Sequence, residues 1–459
     1  MIIRSGMRGL LLLMFLCCHS VWAGEEQDET LQFILEILRG DDAAMQSVAI
    51  ASVKEMPGEA VTKALAGELA RLPAAAQVQL LSVLGDRGDA AAVPAVVNAV
   101  RSPNESVRVE ALKALGQLGD DSVVMLLAER AGGARGDEQK AARDSLSRLK
   151  GSRVDAVILG GLAKAEPKTK VELIGSVGRR NIVAGLKNLL ETAKDPDRKV
   201  RIESLKVLKV IAGPGDMAAL VELLLNVRSA SDRGEAEKTV AVVAHKIEDK
   251  NRQAEVVLRV LPSVKDAAKR SSLVSVLGRI GDNSALGVLR KELDGKDAEV
   301  RTAAVRALSS WPTSEPLADL LGLARDSKDP LHRTLALRGF VRLLALDGGR
   351  TAEETAAMYE QAMSLAPNAM EKRRVLSGLA GAPSVATLKM AAGYLEDKEL
   401  VREAEVASVE IAAEIWSSFG GESSDVLKKI VATTKNESVR QRARELIDRI
   451  EGVKGREEG

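Results

Sequence analysis

The side chains best suited to acid–base chemistry or metal ligation are His245, in VAHKIED, and His332, in DPLHRT. A histidine metal centre needs several ligands converging on one ion at about 2 Å. These two stand about ninety residues apart and are followed by Lys246 and Arg333, not by carboxylates. The spacing therefore predicts no shared metal site, and His332 reads as a partly buried helix residue. Cys17 and Cys18 are the only cysteines. Both fall in a segment expected to be removed, which leaves no thiol for a disulfide, a thiolate metal site or a nucleophile. Glycine-rich LDGGR (346–350) and IAGPGD (211–216) follow no strand and lack the Gly-Lys-Ser/Thr ending of a phosphate loop. No catalytic, metal-binding or cofactor-binding residue is assigned, and no cofactor is expected.

Two tripeptides suggest another chemistry. Arg87-Gly88-Asp89 and Arg135-Gly136-Asp137 have the composition of a cell-adhesion ligand. Yet Leu84-Gly85 and Gly88-Asp89 match Leu115-Gly116 and Gly119-Asp120, and again Leu277-Gly278 and Gly281-Asp282. In that register Gly88 ends one helix in the left-handed conformation and Asp89 caps the next. The second tripeptide falls in a different kind of turn, between the two helices of one unit, so the pair is not a repeated ligand.

The first residues, MIIRSGMRGLLLLMFLCCHSVWA, place Arg4 and Arg8 before an apolar run and end in Val21-Trp22-Ala23. That is the order of a secretory signal peptide, with cleavage expected between Ala23 and Gly24. The run is shorter than the roughly 20 residues that span a bilayer. The chain is therefore expected to be exported, to a periplasm or beyond, with no transmembrane span in the mature part. The 66 basic and 65 acidic residues give a net charge of +1, so no global field draws in nucleic acid or an anionic membrane.

The elements that would position any site repeat along the chain. Leu115, in SVRVEALKALGQLGD, has counterparts at Val53, Leu84, Leu146, Val177 and Leu208, each 31 residues from the next. Four residues earlier the same register gives Ala49, Leu80, Ala111, Ala142, Leu173 and Ser204, which is helical spacing. Looser counterparts follow at Val243, Leu277, Leu308, Phe340, Leu379, Val409 and Ile447, for about thirteen units. Each unit divides into two helices. Asn104, Asp197, Asp297, Asp329 and Asn436 stand where they would cap the second helix. Arg108, Arg201, Arg301, Arg333, Arg402 and Arg440 form a basic column just inside it, read as making inter-repeat salt bridges and hydrogen bonds to turn carbonyls. Aromatics are only 2% of the chain, so the core is built of Ala, Leu, Val and Ile. A lone hairpin cannot bury its apolar face, and stacked neighbours must supply the core.

NESVRVEALKALGQLGD (104–120), DRKVRIESLKVLKVIAG (197–213), DAEVRTAAVRALSSWP (297–312) and NESVRQRARELIDRI (436–450) resemble HEAT repeats, above all the short bacterial subtype first noted in phycobilisome lyases. The resemblance implies an all-α solenoid, a right-handed superhelix whose second helices line the concave side and serve protein contacts. Metal-binding enzymes with such repeats use His-Glu pairs, which His245-Lys246 and His332-Arg333 do not provide. The expected organisation is a leader (1–23), regular repeats (24–228), less regular repeats (229–452) and a charged tail (453–459). IAGPGD (211–216) and RSASDRGEAE (228–237) interrupt the regular spacing. Met358, Met363 and Met370, in an inserted helical stretch, read as fillers of core gaps or as an adaptable patch.

The expected function is a non-catalytic exported scaffold or adaptor that binds a protein partner on the concave or edge surface. The alternatives are an enzyme or an enzyme's regulatory subunit, lyase-like, acting through carboxylates that no motif reveals, and cell adhesion through the Arg-Gly-Asp turns.

Overall fold

The computed structural model of the chain describes residues 24–457. The leader expected over 1–23, with Ala23 at its cleavage site, lies outside the described residues, and Gly24 opens the first helix. The chain divides into two compact units, Met1–Ala212 and Gly213–Gly459. The division falls inside IAGPGD. Ala212 is already extended, and Pro214, which lacks an N–H, starts a separate short turn.

Six helical hairpins make up the described part of the first unit. They are α1 (Gly24–Arg39) with α2 (Ala43–Ser52), α3 (Glu59–Glu68) with α4 (Ala74–Arg87), α5 (Val93–Ala99) with α6 (Glu105–Leu118), α7 (Val124–Gly133) with α8 (Gly136–Arg148), α9 (Val154–Gly161) with α10 (Pro167–Arg179), and α11 (Leu186–Thr192) with α12 (Arg198–Ile211). Seven make up the second. They are α13 (Met217–Asn226) with α14 (Ala230–Ala244), α15 (Glu255–Val260) with α16 (Ala267–Ile280), α17 (Leu286–Leu293) with α18 (Ala298–Ser309), α19 (Leu317–Asp326) with α20 (Pro330–Leu344), α21 (Ala352–Leu365) with α22 (Ala369–Leu379), α23 (Val385–Ala392) with α24 (Val401–Ile415), and α25 (Gly420–Thr433) with α26 (Glu437–Glu457). Among the described residues there is no strand. No helix among them is long and apolar enough to cross a membrane. Helix α26 continues to Glu457, into the segment expected to be a tail, because isolated glycines such as Gly452 weaken a helix by about 1 kcal/mol without stopping it.

The core follows the repeat register. Val53, Leu84, Leu115, Leu146, Val177 and Leu208 are fully buried, and so are Val243, Leu277, Leu308, Phe340 and Leu379. Each such side chain stabilises the stack by about 1.5–3 kcal/mol relative to exposure. The last counterpart shifts: Ile447 is half-buried, and Leu446 and Ile450 take the core positions of α26 instead.

Small residues bring successive second helices into close contact. A Cβ built on Gly278 of α16 would meet Ala307 Cα of α18 at 2.6 Å, inside van der Waals contact. Entry to the next hairpin is fixed by polar caps. Gly88 sits at φ 65° at the end of α4, and Asp89 accepts a 2.9 Å hydrogen bond from the Ala91 amide. Asp120 and Asp282 repeat this geometry toward Ser122 and Ser284.

Candidate functional site

The polar residues singled out by spacing fall at the turns between helices. Asn104 accepts from the Val107 amide at 3.2 Å, Asp197 from Lys199 and Val200, Asp297 from Glu299 and Val300, Asp329 from Leu331, and Asn436 from Ser438 and Val439. Each offsets amides that a helix start leaves open. The arginines that follow turn back on the same loop. Arg108 donates to the carbonyls of Ser102 and Pro103, both at 3.1 Å, Arg201 to Asp195 and Pro196, and Arg301 to Gly295 and Lys296. Arg333 donates to Ser327, and Arg440 to Thr434.

All five are the fourth residue of their helix, and the same position carries other donors that the arginine pattern conceals. Gln46 reaches the carbonyls of Leu38 and Gly40, Gln77 that of Leu72, Gln139 that of Ala131, and Arg270 those of Leu261 and Val264. Arg402 does not belong to this column. It is the second residue of α24, too early to fold back onto the preceding turn, and it is exposed.

Buried carboxylates tie neighbouring hairpins together. Glu138 receives Arg108 at 3.0 Å, Glu172 receives Arg143 at 2.5 and 2.6 Å, and Glu68 receives Arg39. In the second unit, Glu292 receives Arg270 and Glu371 receives Arg338, each through Nε and Nη2. The Arg338 guanidinium holds the Glu371 carboxyl below the usual glutamate range, and Arg39 does the same for Glu68.

The histidines occupy separate structural niches. His245 lies against Gln253 Oε1 at 3.2 Å and the Arg279 carbonyl at 3.3 Å, while His332 is buried with Nε2 2.8 Å from Thr302 Oγ1. No group of three or more His, Cys, Asp or Glu that would hold a metal occurs among the described residues. The methionines separate as well: Met363 is buried, Met358 half-buried and Met370 exposed, so they do not form one patch. Of the two Arg-Gly-Asp turns, the second is exposed at the start of α8, whereas Arg87 of the first is bonded to the preceding hairpin.

The surface feature that combines shape with charge is a groove of about 1140 Å³ in the second unit, crossing α14, α16, α18, α20 and α22. Six arginines line it: Arg233, Arg279, Arg306, Arg338, Arg342 and Arg374. Its floor is made of small residues such as Gly234, Ala303, Ala307, Gly339 and Gly378, with Leu335 and Val341 between them. Helices α16, α18 and α20 carry eight Lys and Arg against one acid, Glu299. In the first unit α6 and α8 carry as many acids as bases, whereas α12 carries five Lys and Arg against Glu203.

Acid partners in the groove are few. Arg338 and Arg374 share Glu371, the latter at 3.6 Å. Arg279 approaches Glu237 at 3.8 Å, and Glu237 is itself pushed upward by burial. Arg342 donates only to carbonyls, those of Ser309 and Trp311. Arg306 is exposed and has no ion pair among the described residues. The sequence did hold a signal for this cluster. Arg306 and Arg338 stand two residues before the core positions Leu308 and Phe340, and Arg279 and Arg342 two residues after Leu277 and Phe340.

Residues 69–147 and 255–340 match the family model for HEAT repeats. A comparison with curated protein sequences found no match. Among solved structures, the karyopherin Kap121p is similar in fold. Bound to the extreme C-terminus of the protein phosphatase Cdc14p, it aligns with TM-score 0.55 at 11% identity, covering 94% of this chain and 55% of that one. Bound to Nup53p it aligns with TM-score 0.53 at 12% identity, covering 93% and 54%. The chain thus spans about 55% of the length of this structural relative. At such identity the likeness shows the fold, an α-solenoid of stacked hairpins.

Proposed function

We propose that this chain, whose residues 69–147 and 255–340 match HEAT repeats, is an exported, non-catalytic scaffold that holds a protein partner along its second helices. The groove across α14 to α22 carries the proposal. It is a continuous, concave strip of side chains contributed by five successive hairpins, a form of surface that repeat proteins use for extended contacts. Its lining favours binding over chemistry, because arginine holds its charge at all ordinary pH values and serves as a donor, not as a base. Export rests on the basic, apolar and small-residue order of residues 1–23. The test is a pull-down with residues 24–459 from the native cell envelope. A partner recovered reproducibly is the expected result, and recovery of none at several salt concentrations overturns the proposal.

A further inference from the structure

We propose that the groove of the second unit takes an extended acidic peptide segment of the partner, with carboxylates about every third residue seated on arginines of successive helices. This rests on the scaffold reading and names the chemistry of what the scaffold holds.

Charge is the first argument. Six arginines line the groove, and among the described residues their ion pairs are to Glu237, from Arg279, and to Glu371, from Arg338 and Arg374, with Glu299 in an adjoining pocket beside Arg233 and Arg306. Arg306, at the middle of the row, has no acid of its own among the described residues, and Arg342 is satisfied by neutral carbonyls alone. An excess of positive charge this concentrated costs folding free energy through self-repulsion, which an acidic ligand would relieve. Guanidinium pairs with carboxylate through two parallel N–H donors, so arginine in place of lysine at all six positions suits planar oxyanions.

Shape is the second argument. Adjacent packed helices lie about 8–10 Å apart, so the five helices span about 32–40 Å. An extended chain covers about 3.3 Å per residue, which makes the strip about ten to twelve residues long. In the polyproline II conformation, residues three apart lie on one face about 9.3 Å from each other. That spacing matches the helix-to-helix step, so acids at every third position meet successive arginines. The floor of Gly and Ala lets a backbone lie close, and Leu335 and Val341 offer apolar contact between the acids. Single-stranded nucleic acid relies on aromatic side chains for base stacking, and the lining of this groove contains none.

The test uses residues 24–459 and a fluorescein-labelled twelve-residue peptide with four glutamates spaced by three, followed by anisotropy at 50 and 200 mM salt. Controls are the same peptide with glutamine for glutamate and a labelled single-stranded oligonucleotide. The expected result is binding of the acidic peptide that falls at least tenfold on replacing its glutamates. It should fall by a similar factor in Arg306→Glu, an exposed position with no ion pair among the described residues, whose melting curve is expected to stay that of the parent. Equal binding by that variant, no binding of the acidic peptide, or tighter binding of the oligonucleotide would each overturn the proposal. The envelope pull-down repeated with the same variant separates the two readings. A partner retained undiminished refutes the groove as its seat while leaving the scaffold standing, and a partner lost with the variant supports both.

Discussion

The guanidinium of Arg87 donates to the carbonyl of Val53, 34 residues earlier, at 2.7 Å, and also to the Met56 carbonyl and to Thr62 Oγ1. It thereby closes the end of the preceding hairpin's second helix, where the last carbonyls lack partners within the helix. Arg180 does the same for Ser147 and Leu149, and Arg342 for Ser309 and Trp311. An arginine held in this way cannot turn outward as part of an adhesion ligand without giving up those bonds.

Arg87→Ala should therefore destabilise the chain by about 1.5–3 kcal/mol, the range for hydrogen bonds to a charged donor. The shift would appear as a fall of a few degrees in the melting temperature. Asp89→Glu keeps the arginine in place and should cost less. If Arg87→Ala melts with the parent protein, these bonds contribute nothing and the first tripeptide is open to another role.

How much of this was legible in the sequence depends on what spaced the residues. The core positions Leu84, Leu115 and Leu277 and the caps at Asp197 and Asp297 recur with the repeat because burial and helix starts recur. The Arg87 contact was hidden because Leu118 and Ile280 occupy the same place in other copies and bury there instead. The column at the fourth helix residue was half visible: arginine marked it at 108, 201 and 301, but Gln46, Gln77 and Gln139 satisfy the same turn carbonyls with a different side chain. The groove was legible only in part: Arg279, Arg306, Arg338 and Arg342 stand two residues from core positions, but on either side of them, and only the packing of five helices brings them together.

The shared role of arginine and glutamine at that position predicts a graded response. Arg301→Ala removes both bonds to the Gly295 and Lys296 carbonyls and should cost about 1–3 kcal/mol. Arg301→Gln should recover part of this loss, since an amide donor reaches such carbonyls at residues 46 and 77. Chemical denaturation of the two variants beside the parent checks the order. Equal losses would mean that the charge, and not the donor, matters.

Glu371 is almost fully buried and accepts from Nε and Nη2 of Arg338, which lowers its proton affinity in the folded state. A carboxyl depressed in this way adds stability above its unfolded pKa, about 4.3, and that stability is lost as pH falls through the folded value. Glu371→Gln should cost about 1–3 kcal/mol at pH 7, with the difference from the parent narrowing toward pH 3. Melting curves across that range decide the point, and a difference independent of pH would assign the loss to packing alone.

Glu237 carries the opposite sign. Burial raises its proton affinity more than Arg279, Ser272 and Arg233 lower it. A raised carboxyl lends stability that is complete below the unfolded pKa and disappears as pH rises through the folded one. Glu237→Gln should therefore melt higher than the parent at pH 7 and converge with it near pH 4. The same substitution removes the one acid lining the groove, so it should tighten an acidic peptide at neutral pH as well. A variant more stable at pH 7 but no tighter for the peptide would separate the two consequences and place the peptide away from α14. A variant both less stable and weaker in binding would show that Glu237 is held ionised by Arg279, with the pair ordering the groove wall.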